Sequence, residues 1–89
     1  MIYELILSDE AEGHLIRWRK SGQKKTLKKI AGLFEELTQH PTTGTGHVEQ
    51  LKGNYSGYWS REIDKGNRLI YSIDNCKVIV YTLVSLKKC

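Results

Sequence analysis

The feature that most constrains the fold of this chain is an amphipathic pattern in its first half. Apolar side chains recur at helical spacing, at Leu27, Ile30, Ala31, Phe34 and Leu37. Four lysines between residues 24 and 29 lie off that apolar stripe, which is typical of a helix with one buried and one solvated face. The pattern predicts a helix over roughly residues 23–39. It should end at His40-Pro41, because the residue before a proline avoids helical geometry.

A shorter helix is predicted before this one. Ser8 can accept hydrogen bonds from free backbone N–H groups, and Asp9 and Glu10 would meet the positive end of a helix dipole. Three apolar residues follow at helical spacing, and Ser21-Gly22 should end the helix near residue 20. Residues 2–7, rich in Ile, Leu and Tyr, predict a strand that precedes it.

A run of strand-like segments follows the two helices. These segments lie near residues 48–51, 58–63, 68–73 and 78–84, with turns at 53–57, 64–67 and 74–77. The Thr- and Gly-rich segment 42–46 is expected to be a flexible loop. Helices followed by strands predict an α+β fold, with two N-terminal helices packed on one face of a small twisted antiparallel sheet. At this length we expect residues 1–89 to form a single domain.

The charge balance favours a polyanion or an acidic protein as partner. Lys and Arg number 14 against 10 Asp and Glu, and the excess lies mainly in residues 41–89, which hold seven basic and four acidic residues. An ordinary solubility role for so small a charge stays open. No apolar run reaches the roughly 18 residues of a membrane span. Because no secretory signal is visible either, we expect a cytoplasmic protein that does not bind membranes.

Residues 49–71 bring together the side chains with the most chemical potential. Glu49 offers a proton acceptor, Lys52, Arg61 and Arg68 offer positive charge, and aromatic side chains lie between them. An enzyme that binds a phosphodiester and moves a proton beside it needs this mixture. The two cysteines match no zinc pattern, so we expect neither a metal nor a cofactor.

The order of elements and two segments of this chain resemble the YoeB branch of the RelE-like toxins. The segments are Gly57-Tyr-Trp-Ser-Arg-Glu-Ile63 and Arg68-Leu-Ile-Tyr71. The segments 8–10, 44–46 and 51–53 fit the same pattern, so the resemblance covers nearly the whole chain. It implies a RelE-like, microbial ribonuclease-like fold. It also implies the toxin of a type II toxin–antitoxin pair, an addiction-module endoribonuclease that enters the ribosomal A site, cuts messenger RNA without a metal and inhibits translation.

The resemblance further implies partners and residue roles. A YefM- or Phd-like antitoxin would bind the chain, with a homodimer or a heterotrimer with the antitoxin both open. Glu49 matches the family's carboxylate base, and Arg68 matches its phosphate-binding arginine. Lys52 is expected to help neutralise charge in the transition state. Cleavage would proceed by attack of the RNA 2′-hydroxyl on the scissile phosphate.

Four further side chains are candidates for RNA contact, namely Arg61, Tyr58, Lys87 and Lys88. Tyrosine rings stack on unpaired bases, and cations pair with phosphates. Arg61 alternates with the apolar Trp59 and Ile63, so a half-buried structural role for it stays open as well.

The chain departs from the family pattern in its last residues. The YoeB branch ends in a His–Tyr pair whose histidine is credited with the acid step, whereas this chain reads Val84-Ser-Leu-Lys-Lys-Cys89. Three explanations stay open. Either the chain is shortened before the pair, or Lys87 or Lys88 replaces the histidine as the acid, or cleavage is reduced or lost while binding is kept. His47, two residues from Glu49, is a further candidate acid. The alternative function is therefore a weakened or silent toxin homologue that binds the antitoxin and co-represses its operon.

Overall fold

The fold, seen in a computed structural model that describes residues 2–84, follows the predicted order of elements. The elements are β1 (Glu4–Leu7), α1 (Asp9–Ser21), α2 (Lys24–Gln39), β2 (Glu49–Gln50), a short 3₁₀ turn (Gly53–Tyr55), β3 (Tyr58–Asp64), β4 (Asn67–Asp74) and β5 (Lys77–Thr82). The predicted RNA contacts Lys87 and Lys88 lie outside the described residues. Within that described part, neither helix is long and apolar enough to cross a bilayer.

Local chemistry sets both ends of α1 where the sequence predicts them. The Ser8 Oγ accepts a hydrogen bond from the Ala11 N–H at 3.1 Å, and three acidic residues occupy the first turn. At the other end Gly22 adopts a φ of 73°, and its N–H donates to the Arg19 carbonyl. A side chain disfavours this left-handed geometry, so the glycine ends the helix.

The five strands form one sheet in the order β1-β5-β4-β3-β2. Three neighbouring pairs are antiparallel, but β1 runs parallel to β5, with Leu5 opposite Val78. The α+β class is confirmed, while the expectation of a purely antiparallel sheet is wrong for β1. No hairpin connects β1 to β5, so no local turn fixes the direction of β1.

The two helices cover one face of the sheet and form the core with it. The core side chains are Ala11 and Trp18 from α1, Ile30, Leu33 and Leu37 from α2, and Ile63, Leu69, Tyr71, Val78 and Val80 from the strands. Because side chains alternate along a strand, the residues between these strand positions lie on the opposite face. We call this the open face. It carries Tyr58, Ser60 and Glu62 of β3, and Arg68, Ile70 and Ser72 of β4.

The loop over residues 42–46 is held in place by the buried side chain of Arg61. This side chain is fully buried, and a guanidinium has five N–H donors. They reach five acceptors, namely the Glu36 carboxylate, the Tyr71 hydroxyl and the backbone carbonyls of His40, Thr43 and Thr45. The Tyr71 hydroxyl in turn donates to the Pro41 carbonyl. These contacts fix the loop, so the expectation of a flexible loop is wrong. The sequence does not reveal them, because the partners are distant along the chain.

Glu36 joins α2 to the same loop. Its carboxylate accepts hydrogen bonds from the Thr45 N–H and hydroxyl, both at 2.8 Å, and from Arg61 Nη1 at 2.7 Å. Burial raises the pKa of Glu36, but the hydrogen bonds from Thr45 and the Arg61 charge outweigh it, and its pKa falls below the ordinary 4.5. Gly44 leaves room for this contact, since a Cβ at that position would overlap the carboxylate.

We expect the Glu36 contact to make stability depend on pH on the acid side. A depressed folded-state pKa contributes stability above the unfolded value of 4.5, and that stability is lost as the pH falls through the folded-state pKa. Glu36→Gln should lower the free energy of unfolding at pH 7 by about 2 kcal/mol, since hydrogen bonds to a charged group are lost. The difference from the wild type should shrink below pH 4.5.

Urea denaturation of both proteins at several pH values measures this difference. A gap that stays constant from pH 7 into the acid range would show that ionisation of Glu36 does not stabilise the loop.

Candidate catalytic site on the open face

The two groups predicted to carry the chemistry, Glu49 and Arg68, meet on the open face. Glu49 lies on the edge strand β2 and Arg68 on β4, with β3 between them. The Glu49 Oε1 lies 3.4 Å from the Arg68 Nη2. The register explains this convergence, because Glu49 is opposite Ser60 and Ser60 is opposite Ile70, two residues along β4 from Arg68.

Ser60 holds the Arg68 guanidinium in this position. Its fully buried Oγ accepts hydrogen bonds from Arg68 Nε at 3.2 Å and from Nη2 at 2.9 Å. The serine was missed by the sequence analysis. Only its cross-strand register places it between Glu49 and Arg68, and a single serine within a strand gives no signal of that kind.

The Glu49–Arg68 contact is open enough to admit a ligand. The side chains of Arg68 and Glu49 are 38% and 64% exposed. An exposed ion pair of this type contributes about 0–1 kcal/mol to stability, so the fold does not depend on it. Arginine makes charge-assisted, often paired hydrogen bonds to phosphate as it does to carboxylate, so a phosphate can compete with Glu49 for the guanidinium. The arrangement offers an anion-binding group and a proton acceptor side by side.

The other two residues predicted near this site, Lys52 and His47, do not take part in the Glu49–Arg68 contact. The exposed Lys52 precedes the 3₁₀ turn and, among the described residues, makes no hydrogen bond or ion pair with Glu49 or Arg68. His47 adopts a φ of 50° in the turn before β2, and its Nε2 lies 3.7 Å from the Glu62 Oε1. The strand alternation that would align His47 with Glu49 does not extend into that turn.

The predicted RNA contacts have different outcomes. Arg61 lies on the helix-covered face with no exposed surface, so the prediction that it contacts RNA is wrong and the structural alternative accounts for it. Tyr58 lies half-buried on the open face, where its ring packs edge-to-face against Tyr81. Tyr81 was also missed, since its position at the end of a strand pattern resembles that of any core tyrosine.

Known proteins resemble this chain in both sequence and fold. Residues 8–85 match the model of the YoeB-like toxin of bacterial type II toxin–antitoxin systems. Toxin YoeB of Synechocystis is 38% identical over 71 residues, which cover 80% of this chain and 83% of that protein. Toxin YoeB of Escherichia coli K12 is 34% identical over 77 residues, covering 86% of this chain and 90% of that protein.

Solved structures give the same result. The YoeB dimer from Staphylococcus aureus superposes with a TM-score of 0.82 at 26% identity and covers 98% of this chain and all of that chain. A YoeB/ParE toxin from Agrobacterium tumefaciens reaches a TM-score of 0.85 at 24% identity, covering 94% and 99%, which supports the fold alone. These matches define a toxin of a bacterial type II toxin–antitoxin system. Within that class, the chain belongs to the YoeB-like family.

Proposed function

We propose that this chain is a metal-independent endoribonuclease that cuts messenger RNA in the ribosomal A site and thereby inhibits translation. The observation that supports the proposal is the convergence of Glu49 and Arg68 over the buried Ser60 on a face that the helices leave open. A carboxylate can act as the general base of phosphodiester transfer, and a guanidinium beside it can stabilise the charge on the phosphoryl oxygens. A target on the ribosome places the action of the protein in the cytoplasm.

The reaction uses the RNA's own 2′-hydroxyl as nucleophile. Glu49 accepts the 2′ proton while the oxygen attacks the adjacent phosphorus, and Arg68 stabilises the charge that develops on the phosphoryl oxygens. The bond from phosphorus to the 5′-oxygen then breaks and leaves a 2′,3′-cyclic phosphate. The departing oxygen takes its proton from solvent or from Lys87 or Lys88, which lie outside the described residues. Lys52 adds positive charge from the neighbouring turn.

An antitoxin related to YefM is the proposed protein partner. The YoeB protein of Staphylococcus aureus forms a heterotetrameric complex with YefM, and it is 26% identical to this chain, with 98% of this chain covered. The formal charge of +4 on this chain favours an acidic partner.

Arg68→Ala tests the proposal. We expect the wild-type chain to arrest growth and shorten ribosome-bound transcripts, and Arg68→Ala to lower the cleavage rate by about 10²–10³-fold, as the loss of one charge-stabilising donor does. Primer extension on transcripts in a reconstituted translation reaction measures the rate. Lys77→Ala, an exposed cation at the start of β5, is the charge-matched control and should cut like the wild type.

One outcome would favour the silent homologue instead. If the folded wild-type chain binds its antitoxin but leaves ribosome-bound transcripts at full length, the endoribonuclease proposal is wrong.

A further inference from the structure

A second pair of titratable side chains lies on the open face beside the Glu49–Arg68 contact. It consists of His47 and Glu62, with the His47 Nε2 3.7 Å from the Glu62 Oε1. Glu49 can take up a proton and Arg68 can stabilise charge, but neither returns a proton to the 5′-oxygen that departs. A histidine can do so, because its side chain gains and loses a proton in the physiological pH range.

The backbone before β2 brings His47 to the open face. The Glu62 N–H donates a hydrogen bond to the Gly46 carbonyl, which holds this turn alongside β3. His47 adopts a φ of 50°, and its ring reaches Glu62, a side chain of the open face. In a residue other than glycine such left-handed geometry costs about 1–3 kcal/mol, and strain of this kind clusters at functional sites.

Along the strand direction, Arg68 spans the interval between His47 and Glu49. It is opposite Glu62 in the pairing of β3 with β4, and its Nη2 lies 3.4 Å from the Glu49 Oε1. Two residues of backbone, the separation of His47 from Glu49, span at most about 7 Å. In-line phosphoryl transfer puts the attacking and leaving oxygens on opposite sides of phosphorus, so a base and an acid within about 3 Å of their oxygens can stand this far apart.

The two ring nitrogens of His47 have different surroundings. Nε2 faces Glu62, whereas Nδ1 has no hydrogen-bond partner among residues 2–84, and the side chain is 84% exposed. A carboxylate that holds one nitrogen of a histidine fixes the orientation of the ring and leaves the other nitrogen for proton transfer. Nδ1 is therefore the nitrogen that can meet a bound phosphodiester.

We propose that His47 is the general acid of the cleavage reaction and that Glu62 positions its ring. The inference rests on the proposed function for its reaction. The 2′-oxygen bonds to phosphorus and its proton passes to Glu49, while the bond from phosphorus to the 5′-oxygen breaks. Nδ1 of the protonated His47 gives its proton to that oxygen, so a 5′-hydroxyl leaves and a neutral imidazole remains. Proton exchange with solvent restores both groups.

A transcript with sulfur in place of the 5′-oxygen at the cut site tests the proton transfer itself. A thiolate is a much weaker base than an alkoxide, so it departs without a proton and needs no general acid. On ribosomes, His47→Asn should lower the single-turnover cleavage rate of the ordinary transcript by about 10²-fold, the lower end of the range for a general acid, because solvent still donates slowly. It should cut the sulfur-substituted transcript within a few-fold of the wild type.

Asparagine at position 47 separates proton transfer from folding. It also tolerates left-handed geometry and can hydrogen-bond to Glu62, but its amide cannot deliver a proton. His47→Asn should therefore keep the wild-type Tm. His40→Asn changes the other exposed histidine among residues 2–84 and is the matched control, which should cut both transcripts like the wild type.

Variants of the two carboxylates distinguish their roles. Glu62→Gln should slow cleavage of the ordinary transcript alone, and by less than His47→Asn does, because the histidine stays in place with a weaker hold on its ring. Glu49→Gln should slow both transcripts, since each still needs a base at the 2′-hydroxyl. Equal slowing of both transcripts by Glu62→Gln would show that Glu62 does not act through the acid.

The same measurements separate this proposal from the proposed function. If the wild type cuts the ordinary transcript and His47→Asn cuts it equally fast, or slows both transcripts alike, His47 is not the acid and the endoribonuclease stands. Cleavage of the sulfur-substituted transcript alone by the wild type would also overturn the assignment of the acid. If the wild type cuts neither transcript, the endoribonuclease proposal is wrong, and the role of His47 falls with it.

Discussion

Glu49→Gln is expected to lower the rate of transcript cleavage on ribosomes by about 10²–10⁴-fold, the usual contribution of a general base. Glutamine has nearly the same shape as glutamate and keeps an oxygen that can accept from Arg68 Nη2, 3.4 Å away in the wild type. It cannot take up the 2′ proton. The variant should therefore bind ribosomes and antitoxin as before and lose the chemical step alone.

Single-turnover cleavage of a transcript paused on ribosomes measures this effect. Glu35→Gln removes another exposed carboxylate, from α2 on the helix side of the sheet, and serves as the charge-matched control. Thermal unfolding should not separate Glu49→Gln from the wild type, because the exposed Glu49–Arg68 pair contributes about 0–1 kcal/mol. Cleavage by Glu49→Gln within a factor of a few of the wild type would exclude Glu49 as the base.

The helices and the strand segments could be predicted because their signals are local. The Ser8 cap, the Gly22 stop and the apolar stripe of α2 each act within a few residues, and both helices lie where predicted. Within the stripe, Ala31 is exposed and Leu33 is buried in its place. The parallel direction of β1 has no local signal, since it depends on pairing with β5 at the other end of the chain. Sequence patterns specify elements, whereas tertiary contacts specify how the elements are arranged.

The candidate site was likewise predicted only in part from the sequence. The resemblance to a family named Glu49 and Arg68, but not that they lie two strands apart with Ser60 beneath them. Ser60 and Tyr81 act through cross-strand register, to which a single sequence gives no access. They became visible as partners of Arg68 and Tyr58 only when the pairing was known.

Arg61 and Arg68 show how one residue type serves two purposes in adjacent strands. Their side chains lie on opposite faces of the sheet, because side chains alternate along a strand. Arg61 shares a face with Trp59 and Ile63, and Arg68 shares the other face with Ile70. The apolar neighbours of Arg61 correctly indicated burial. The acceptors that compensate for burying its charge come from α2 and the following loop, far away in sequence.

Arg61→Ala is accordingly expected to destabilise the fold strongly. It removes a buried guanidinium, and with it the charge partner of the Glu36 carboxylate and the side-chain donor to the carbonyls of His40, Thr43 and Thr45. Breaking a buried ion pair costs about 3–5 kcal/mol. A domain of this size shifts its Tm by about 4–8 °C per kcal/mol, so the Tm should fall by at least about 12 °C.

Calorimetry or circular dichroism on Arg61→Ala and Arg61→Lys checks this expectation against Arg68→Ala. Lysine keeps the charge but cannot reproduce five donors in a planar fork, so Arg61→Lys should also unfold early. Arg68→Ala should melt like the wild type, because its partner Glu49 stays solvated. If Arg61→Ala instead kept the wild-type Tm and lost only RNA cleavage, the guanidinium would have to leave its buried position to reach RNA. The loop over residues 42–46 would then be held by Glu36 and Tyr71 without it.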